Sequence, residues 1–260
     1  MRESSLMRSP MSLRNAAIKC ASALLAFAAL AGIAAAAEEG EGLKSAQTNV
    51  MNTASLQRGA RTYFNYCSGC HSIKYMNYAR LSDDLKLSPE EVLTNFAFTG
   101  ARIGDQIVSN MPAGGSQQWF GKTPPDLSLE GRAKGADWIY NYLRSFYVDP
   151  TALVGWNNTV FPNASMPNPL WELQGMQTAH MAPGKPGEPP TVEKLEIAHP
   201  GRQSASEFEE TTRDLTAFLQ YVGEPAALQR QPLGVWVILY LALFTFLAWL
   251  LKHEYWKDVH

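Results

Sequence analysis

Tyr66-Cys67-Ser68-Gly69-Cys70-His71 is the stretch on which the reading of this chain turns. It contains C-x-x-C-H, the attachment signature of a c-type haem. The spacing has a physical reason. Two thiols three positions apart can each reach one vinyl group of the same porphyrin, and the next residue sets an imidazole beneath the iron. His71 is therefore the expected proximal ligand. Two other chemistries use C-x-x-C. A thioredoxin-like redox pair needs a surrounding strand–helix–strand pattern and has no use for the histidine, and a zinc site needs two further Cys or His ligands at short spacing. Neither accompaniment surrounds Cys67 and Cys70.

The third cysteine, Cys20, lies in an N-terminal run with the order of an export signal. Arg2, Arg8, Arg14 and Lys19 precede an apolar, alanine-rich stretch from about Ala21 to Ala37, closed by small residues before Glu38-Glu39-Gly40-Glu41. Residues 1–37 are expected to be a signal peptide cleaved near Ala36 or Ala37, with an uncleaved anchor as the alternative. Export would deliver the chain to where haem attachment occurs and leave only Cys67 and Cys70, which excludes a disulfide framework. The mature chain would carry 18 Lys plus Arg against 23 Asp plus Glu, a net charge of about −5. No basic patch for nucleic acid is indicated. An acidic ectodomain suits a basic protein partner, through encounter rates more than through fold.

Leu233 to Leu251 reads L-G-V-W-V-I-L-Y-L-A-L-F-T-F-L-A-W-L-L, 19 residues without a charge or proline. As a helix it spans about 28 Å, close to the ~30 Å hydrocarbon core. Arg230 and Lys252 bracket it, and Trp236, Trp249, Tyr255 and Trp256 offer interfacial anchors. The expected organisation is a signal at 1–37, a haem domain outside the membrane at 38–231, one transmembrane helix at 232–251 and a cytoplasmic tail at 252–260.

Within 38–231, Leu56, Gly59, Ala60, Tyr63 and Phe64 fall on one face of a helix through Leu56 to Tyr66, and the small pair invites close packing of another helix. Ser88-Pro89-Glu90-Glu91 starts a short helix into Val92 and Phe96. A further aromatic-rich helix is predicted from Asp137 to Phe146 and read as scaffold. Ser206-Glu207-Phe208-Glu209 is read as a capping box for a helix through Leu215, Phe218, Leu219 and Val222 that stops at Gly223. The proline- and glycine-rich stretch from Pro167 to Pro200 lacks periodicity and reads as a long surface excursion.

A second axial ligand decides what such a haem does, because methionine opposite histidine raises the potential and closes the iron, whereas an open site admits ligands. Met111, Met166, Met176, Met181, His180 and His199 are the candidates. Met111 and Met166 both precede a proline, so local chemistry does not separate them.

The ordered set Cys67-Ser-Gly-Cys70-His71-Ser72, Pro124-Pro125-Asp126-Leu127-Ser128, Asn163-Ala-Ser-Met166-Pro167 and one C-terminal apolar helix resembles the cytochrome c1 family. The resemblance covers nearly all of the mature chain, and P-P-D-L-S with this tail is far more specific than C-x-x-C-H alone. It implies a mainly α, cytochrome c-like haem domain with loop insertions and one C-terminal transmembrane helix. It further implies one haem c on thioethers from Cys67 and Cys70, with His71 proximal and Met166 distal. The P-P-D-L-S segment, with Pro125, would line the haem, and Arg132 or Lys134 would approach a propionate; Lys134 stands where the family often has arginine, a point charge in place of a planar fork. The implied role is the electron-transfer subunit of a ubiquinol–cytochrome c oxidoreductase in a bacterial cytoplasmic membrane, its haem domain in the periplasm. That subunit takes one electron from the Rieske iron–sulfur protein and passes it to cytochrome c, beside cytochrome b in a dimeric bc1 complex. It has no catalytic acid, base or nucleophile of its own. The rival readings are another membrane-tethered monohaem cytochrome and a haem enzyme or gas sensor with an open distal site.

Overall fold

The structure, a computed structural model, describes residues 42–182 and 191–258. The expected signal peptide lies outside the described residues. The haem-signature segment grows out of the first described helix, α1 (Thr53–Tyr66), capped by the Asn52 side chain, which accepts from the Ser55 amide. Leu56, Gly59, Ala60, Tyr63 and Phe64 are all buried, the face the 3.6-residue period marks out. That face meets α8 (Ala205–Gly223), the long helix that precedes the apolar tail.

Gly59 makes this crossing possible. A β-carbon there would overlap the Asp214 carbonyl of α8, so the two backbones touch where any side chain would hold them apart. The crossing is also tied by polar groups. The buried Asp214 carboxylate accepts from Ser55 Oγ at 2.5 Å and from Arg58 Nε at 2.5 Å and Nη2 at 3.1 Å. A second glycine repeats the device: at Gly131, in the short helix α5 (Glu130–Ala133), a β-carbon would overlap the Leu219 carbonyl. One helix, α8, is thus approached closely by both the segment leading into Cys67 and the segment following Pro125.

Around these crossings lie α2 (Tyr78–Leu85), α3 (Pro89–Phe96), α4 (Ala113–Phe120), α6 (Ala136–Arg144) and α7 (Trp171–Gln174). Phe64 stacks on Phe96 with ring centroids 4.6 Å apart and meets Tyr63 edge-on at 5.1 Å, and Tyr63 and Phe218 are fully buried with them. The Ser88–Glu91 capping box that opens α3 is formed in both directions. Three antiparallel pairs complete the domain: β1 (Ile73–Asn77) with β2 (Gln106–Ile107), β3 (Phe146–Val148) with β4 (Trp156–Asn158), and β5 (Gly175–Ala182) with β6 (Thr191–Pro200). The fold is mainly helical, as expected.

Three expectations need correction. The capping box of α8 is built by Ser204 and Glu207, not Ser206 and Glu209. Two overlapping S-x-x-E patterns compete here, and Glu209 is drawn away by Lys44 Nζ at 2.7 Å and Arg144 Nη2 at 2.6 Å. The aromatic helix ends at Arg144, and Phe146 begins β3. The stretch from Pro167 to Pro200 is not featureless. It holds α7 and the β5–β6 ribbon, with register irregularities at Met176/Gln177 and His180/Met181 that erase the two-residue alternation.

The apolar tail is a helix, α9 (Ala227–Tyr255), 29 residues long and, by length and composition, able to cross a membrane. It starts six residues earlier than Leu233, because the chain carries Pro232 inside the helix instead of stopping there. Leu228 packs partly against the core, and no side chain from Gln229 onward is buried among the described residues.

Two outcomes follow. Gly59→Ala is expected to cost about 2 kcal/mol, read as a lowered melting temperature of the detergent-extracted protein, since the obstructing atoms are backbone. For Glu209, the bond from Lys44, aided by the Arg144 charge, holds the carboxyl below its usual range. Its contribution is then present above the ordinary glutamate value and lost as pH falls through the depressed one. Glu209→Gln should destabilise by about 0.5 kcal/mol near pH 7, and the gap to wild type should close below about pH 4.

Candidate functional site

The segment after Tyr66 is a tight turn. The Cys67 and Ser68 amides both donate to the Tyr63 carbonyl, at 2.8 and 2.9 Å, and the His71 amide donates to the Cys67 carbonyl at 2.9 Å. Tyr63 Oη, buried beneath, donates to the His71 carbonyl at 2.6 Å. The turn places Cys67, Cys70 and His71 along one wall of a cavity of about 430 Å³. Both thiols are free, Cys67 buried and Cys70 half-buried. Burial, with a smaller push from Cys70, raises the Cys67 thiol to about 12.

The facing loop carries Pro124-Pro125-Asp126-Leu127-Ser128, and its polar residues stitch it to the strand that follows His71. Asp126 accepts from the Lys74 amide at 3.1 Å and from the Ser128 amide at 2.8 Å, and Ser128 Oγ accepts from the Tyr75 amide at 3.1 Å. The Leu127 amide donates to the Ser72 carbonyl at 2.8 Å. So held, the Pro125 carbonyl lies 2.8 Å from His71 Nδ1. A carbonyl only accepts, so Nδ1 carries the proton and Nε2 is left with its lone pair. Burial lowers the His71 pKa and favours this neutral ring, outweighing the opposing pull of the Pro125 bond.

The third wall is the loop bearing Met166, shaped by the end of the β3–β4 pair. Asn158 Oδ1 accepts from the Val160 and Phe161 amides at 2.9 and 3.0 Å, and Asn157 Oδ1 accepts from the Asn163 amide at 2.8 Å. Asn163 takes a left-handed conformation, φ 61°, just before Ala164-Ser165-Met166. Helix α6 supplies Trp138, Ile139, Tyr142 and Leu143, and α8 supplies Leu215 and Leu219. Tyr142 Oη lies 3.6 Å from Met166 Sδ, and burial pushes that hydroxyl up to about 12, so it stays a donor.

Cys67, Cys70, His71, Pro125, Lys134 and Met166 therefore share one cavity. Lys134 Nζ sits over the Trp138 ring, 5.2 Å from its centroid. Arg132 is not among the cavity-lining residues; its Nη1 turns to Glu224 at 3.8 Å and its side chain is 68% exposed. Met111 precedes α4 and does not line the cavity either. Met176, His180, Met181 and His199 all belong to the β5–β6 ribbon, where His180 Nε2 meets Glu196 at 2.7 Å. Sequence reasoning missed α6 as a wall. Trp138 and Tyr142 at i, i+4 look like any aromatic core stripe, and nothing in their spacing says that the space they border is hollow.

The donor set fits a haem. It offers two free thiols at attachment spacing, an imidazole with a fixed proton and an available Nε2, a thioether sulfur in the same largely apolar space, and a lysine at its edge. No cluster of three or more His, Cys, Asp or Glu side chains suited to a metal ion occurs among the described residues, so the zinc alternative gains no support.

Comparison with known proteins agrees with this geometry. The model of the cytochrome C1 family matches residues 44–259. Cytochrome c1 of Allochromatium vinosum is 46% identical over 222 residues, covering 85% of this chain and 91% of the relative. A protein named ammonia monooxygenase gamma subunit, from Nitrosomonas europaea, is 38% identical over 206 residues, 79% of this chain and 84% of its own length. Cytochrome c1 of Rhodospirillum rubrum is 26% identical over 238 residues, covering 78% of this chain and 81% of the relative. With the match spanning both the cavity and the apolar tail, the chain belongs to the cytochrome c1 family.

Proposed function

We propose that the chain is the haem-bearing electron-transfer subunit of a cytochrome bc1 complex, taking one electron from a Rieske iron–sulfur protein and passing it to cytochrome c. The observation that carries this reading is the 2.8 Å bond from His71 Nδ1 to the Pro125 carbonyl, which leaves Nε2 free to ligate in the cavity that also contains Met166. Cys67 and Cys70 would hold haem c covalently, His71 would be its proximal ligand and Met166 its distal one. When bound, the haem supplies a one-electron couple.

The chain's own residues do the rest. The turn over Tyr63 and the clamp by Asp126 and Ser128 keep the imidazole in one tautomer and one orientation, which limits rearrangement between oxidation states. Leu215, Leu219, Ile139 and Leu143 keep the cavity lining largely apolar. Lys134, which lines the cavity, would offer a propionate a point charge in place of an arginine fork. No side chain is asked to move a proton. In this reading residues 1–37 are a cleaved signal and 38–231 the periplasmic haem domain. The apolar helix then anchors it in a bacterial cytoplasmic membrane beside cytochrome b, within a dimeric complex. The tail after Leu251 lies in the cytoplasm.

Optical spectra of the membrane-extracted protein test the ligand set. Wild type should show the weak far-red methionine–Fe(III) band. Met166→Leu should lose it, drop in potential and gain carbon monoxide binding, while Met111→Leu keeps it. Retention of the band in Met166→Leu would overturn the assignment. Redox titration separates the two basic residues: Lys134→Ala should lower the midpoint potential by on the order of tens of mV, the field of one partly solvated charge, and Arg132→Ala should leave it unchanged.

A further inference from the structure

Tyr142 does more than line the wall. Its hydroxyl has one hydrogen-bond partner among the described residues, Met166 Sδ at 3.6 Å. The ring is held on two sides, stacked on Trp138 at 4.9 Å and 11° and meeting Phe146 edge-on at 4.9 Å and 66°. Its backbone carbonyl accepts from Asn158 Nδ2 at 2.8 Å, and the same Asn158 shapes the start of the loop that carries Met166. One frame thus positions both the hydroxyl and the sulfur.

We propose that Tyr142 is a positioning and tuning residue for Met166, its hydroxyl donating to the thioether sulfur and committing one of the two sulfur lone pairs. This rests on the reading of Met166 as the distal ligand. A thioether sulfur has two lone pairs, so the bond from Tyr142 decides which one faces the cavity. It also draws electron density from the sulfur. Donation to the iron is then weakened, most of all in the more electron-poor oxidised state. The hydroxyl therefore favours the reduced state and holds the potential up through a hydrogen bond to the ligand, a lever distinct from ligand identity.

The test uses the full chain, detergent-extracted, as wild type, Tyr142→Phe, Tyr142→Leu and Met166→Leu. Tyr142→Phe keeps the ring stack and removes only the hydroxyl. It should retain the far-red band, lower the midpoint potential by about 30 mV, and make Met166 about threefold harder to displace by imidazole in the oxidised protein. The threefold change reflects the lower range of a net hydrogen bond, and about 59 mV corresponds to tenfold for one electron. An unchanged potential and imidazole affinity in Tyr142→Phe would overturn the proposal. So would a shift confined to Tyr142→Leu, because that variant loses ring packing as well. If Met166→Leu keeps the band, it is the ligand assignment that fails, an outcome separate from either.

Discussion

Two glycines packed against one helix, α8, hold this domain in shape. Gly59 and Gly131 let α1 and α5 reach backbone contact with α8, against the Asp214 and Leu219 carbonyls. Each bordering segment leads into a different wall of the cavity: α1 runs directly into Cys67, Cys70 and His71, and α5 follows the P-P-D-L-S loop. If either helix stood off by the thickness of a methyl group, the Pro125 carbonyl and the His71 imidazole would no longer be in register. The close crossings and the 2.8 Å bond at His71 are parts of one arrangement. Hydrophobic packing around Tyr63, Phe64 and Phe218 supplies the adhesion, but the backbone approach sets the distances.

The second layer of control is polar and local. Asp126, Ser128, Asn157 and Asn158 are short side chains that bond to nearby amides and so specify loop shapes that no regular element would provide. They hold the two loops that carry Pro125 and Met166, while α6 walls the space between with Trp138 and Tyr142. The site is thus mounted on a helix end and two loops clamped by side chains.

The C-terminal helix imposes a different constraint. Its side chains beyond Leu228 are unburied among the described residues, and its apolar stretch has mean hydropathy 2.3. In water such a surface would be costly, at about 25 cal/mol for each Å² exposed. The helix is long and apolar enough to cross a membrane, and it follows α8 after a short Glu224–Ala226 link.

By itself the sequence determined the chemistry and the coarse architecture. C-x-x-C-H names its cofactor class because thiol and imidazole spacing are local properties of one helical turn, the α1 face follows from a 3.6-residue period, and the tail declares itself by 19 uncharged residues. What it left open depended on distance between segments far apart in the chain. Met111 and Met166 are alike in local chemistry, and only the loop after β4 puts Met166 in the cavity. Arg132 and Lys134 are two residues apart, and the turn of α5 sends one to Glu224 and the other to the cavity edge. Ser204 outcompeted Ser206 as a cap because Glu209 was taken by Lys44 and Arg144, which arrive from other segments. Tertiary structure decided these cases, since each was a competition between locally equivalent residues for a partner that only the fold brings near.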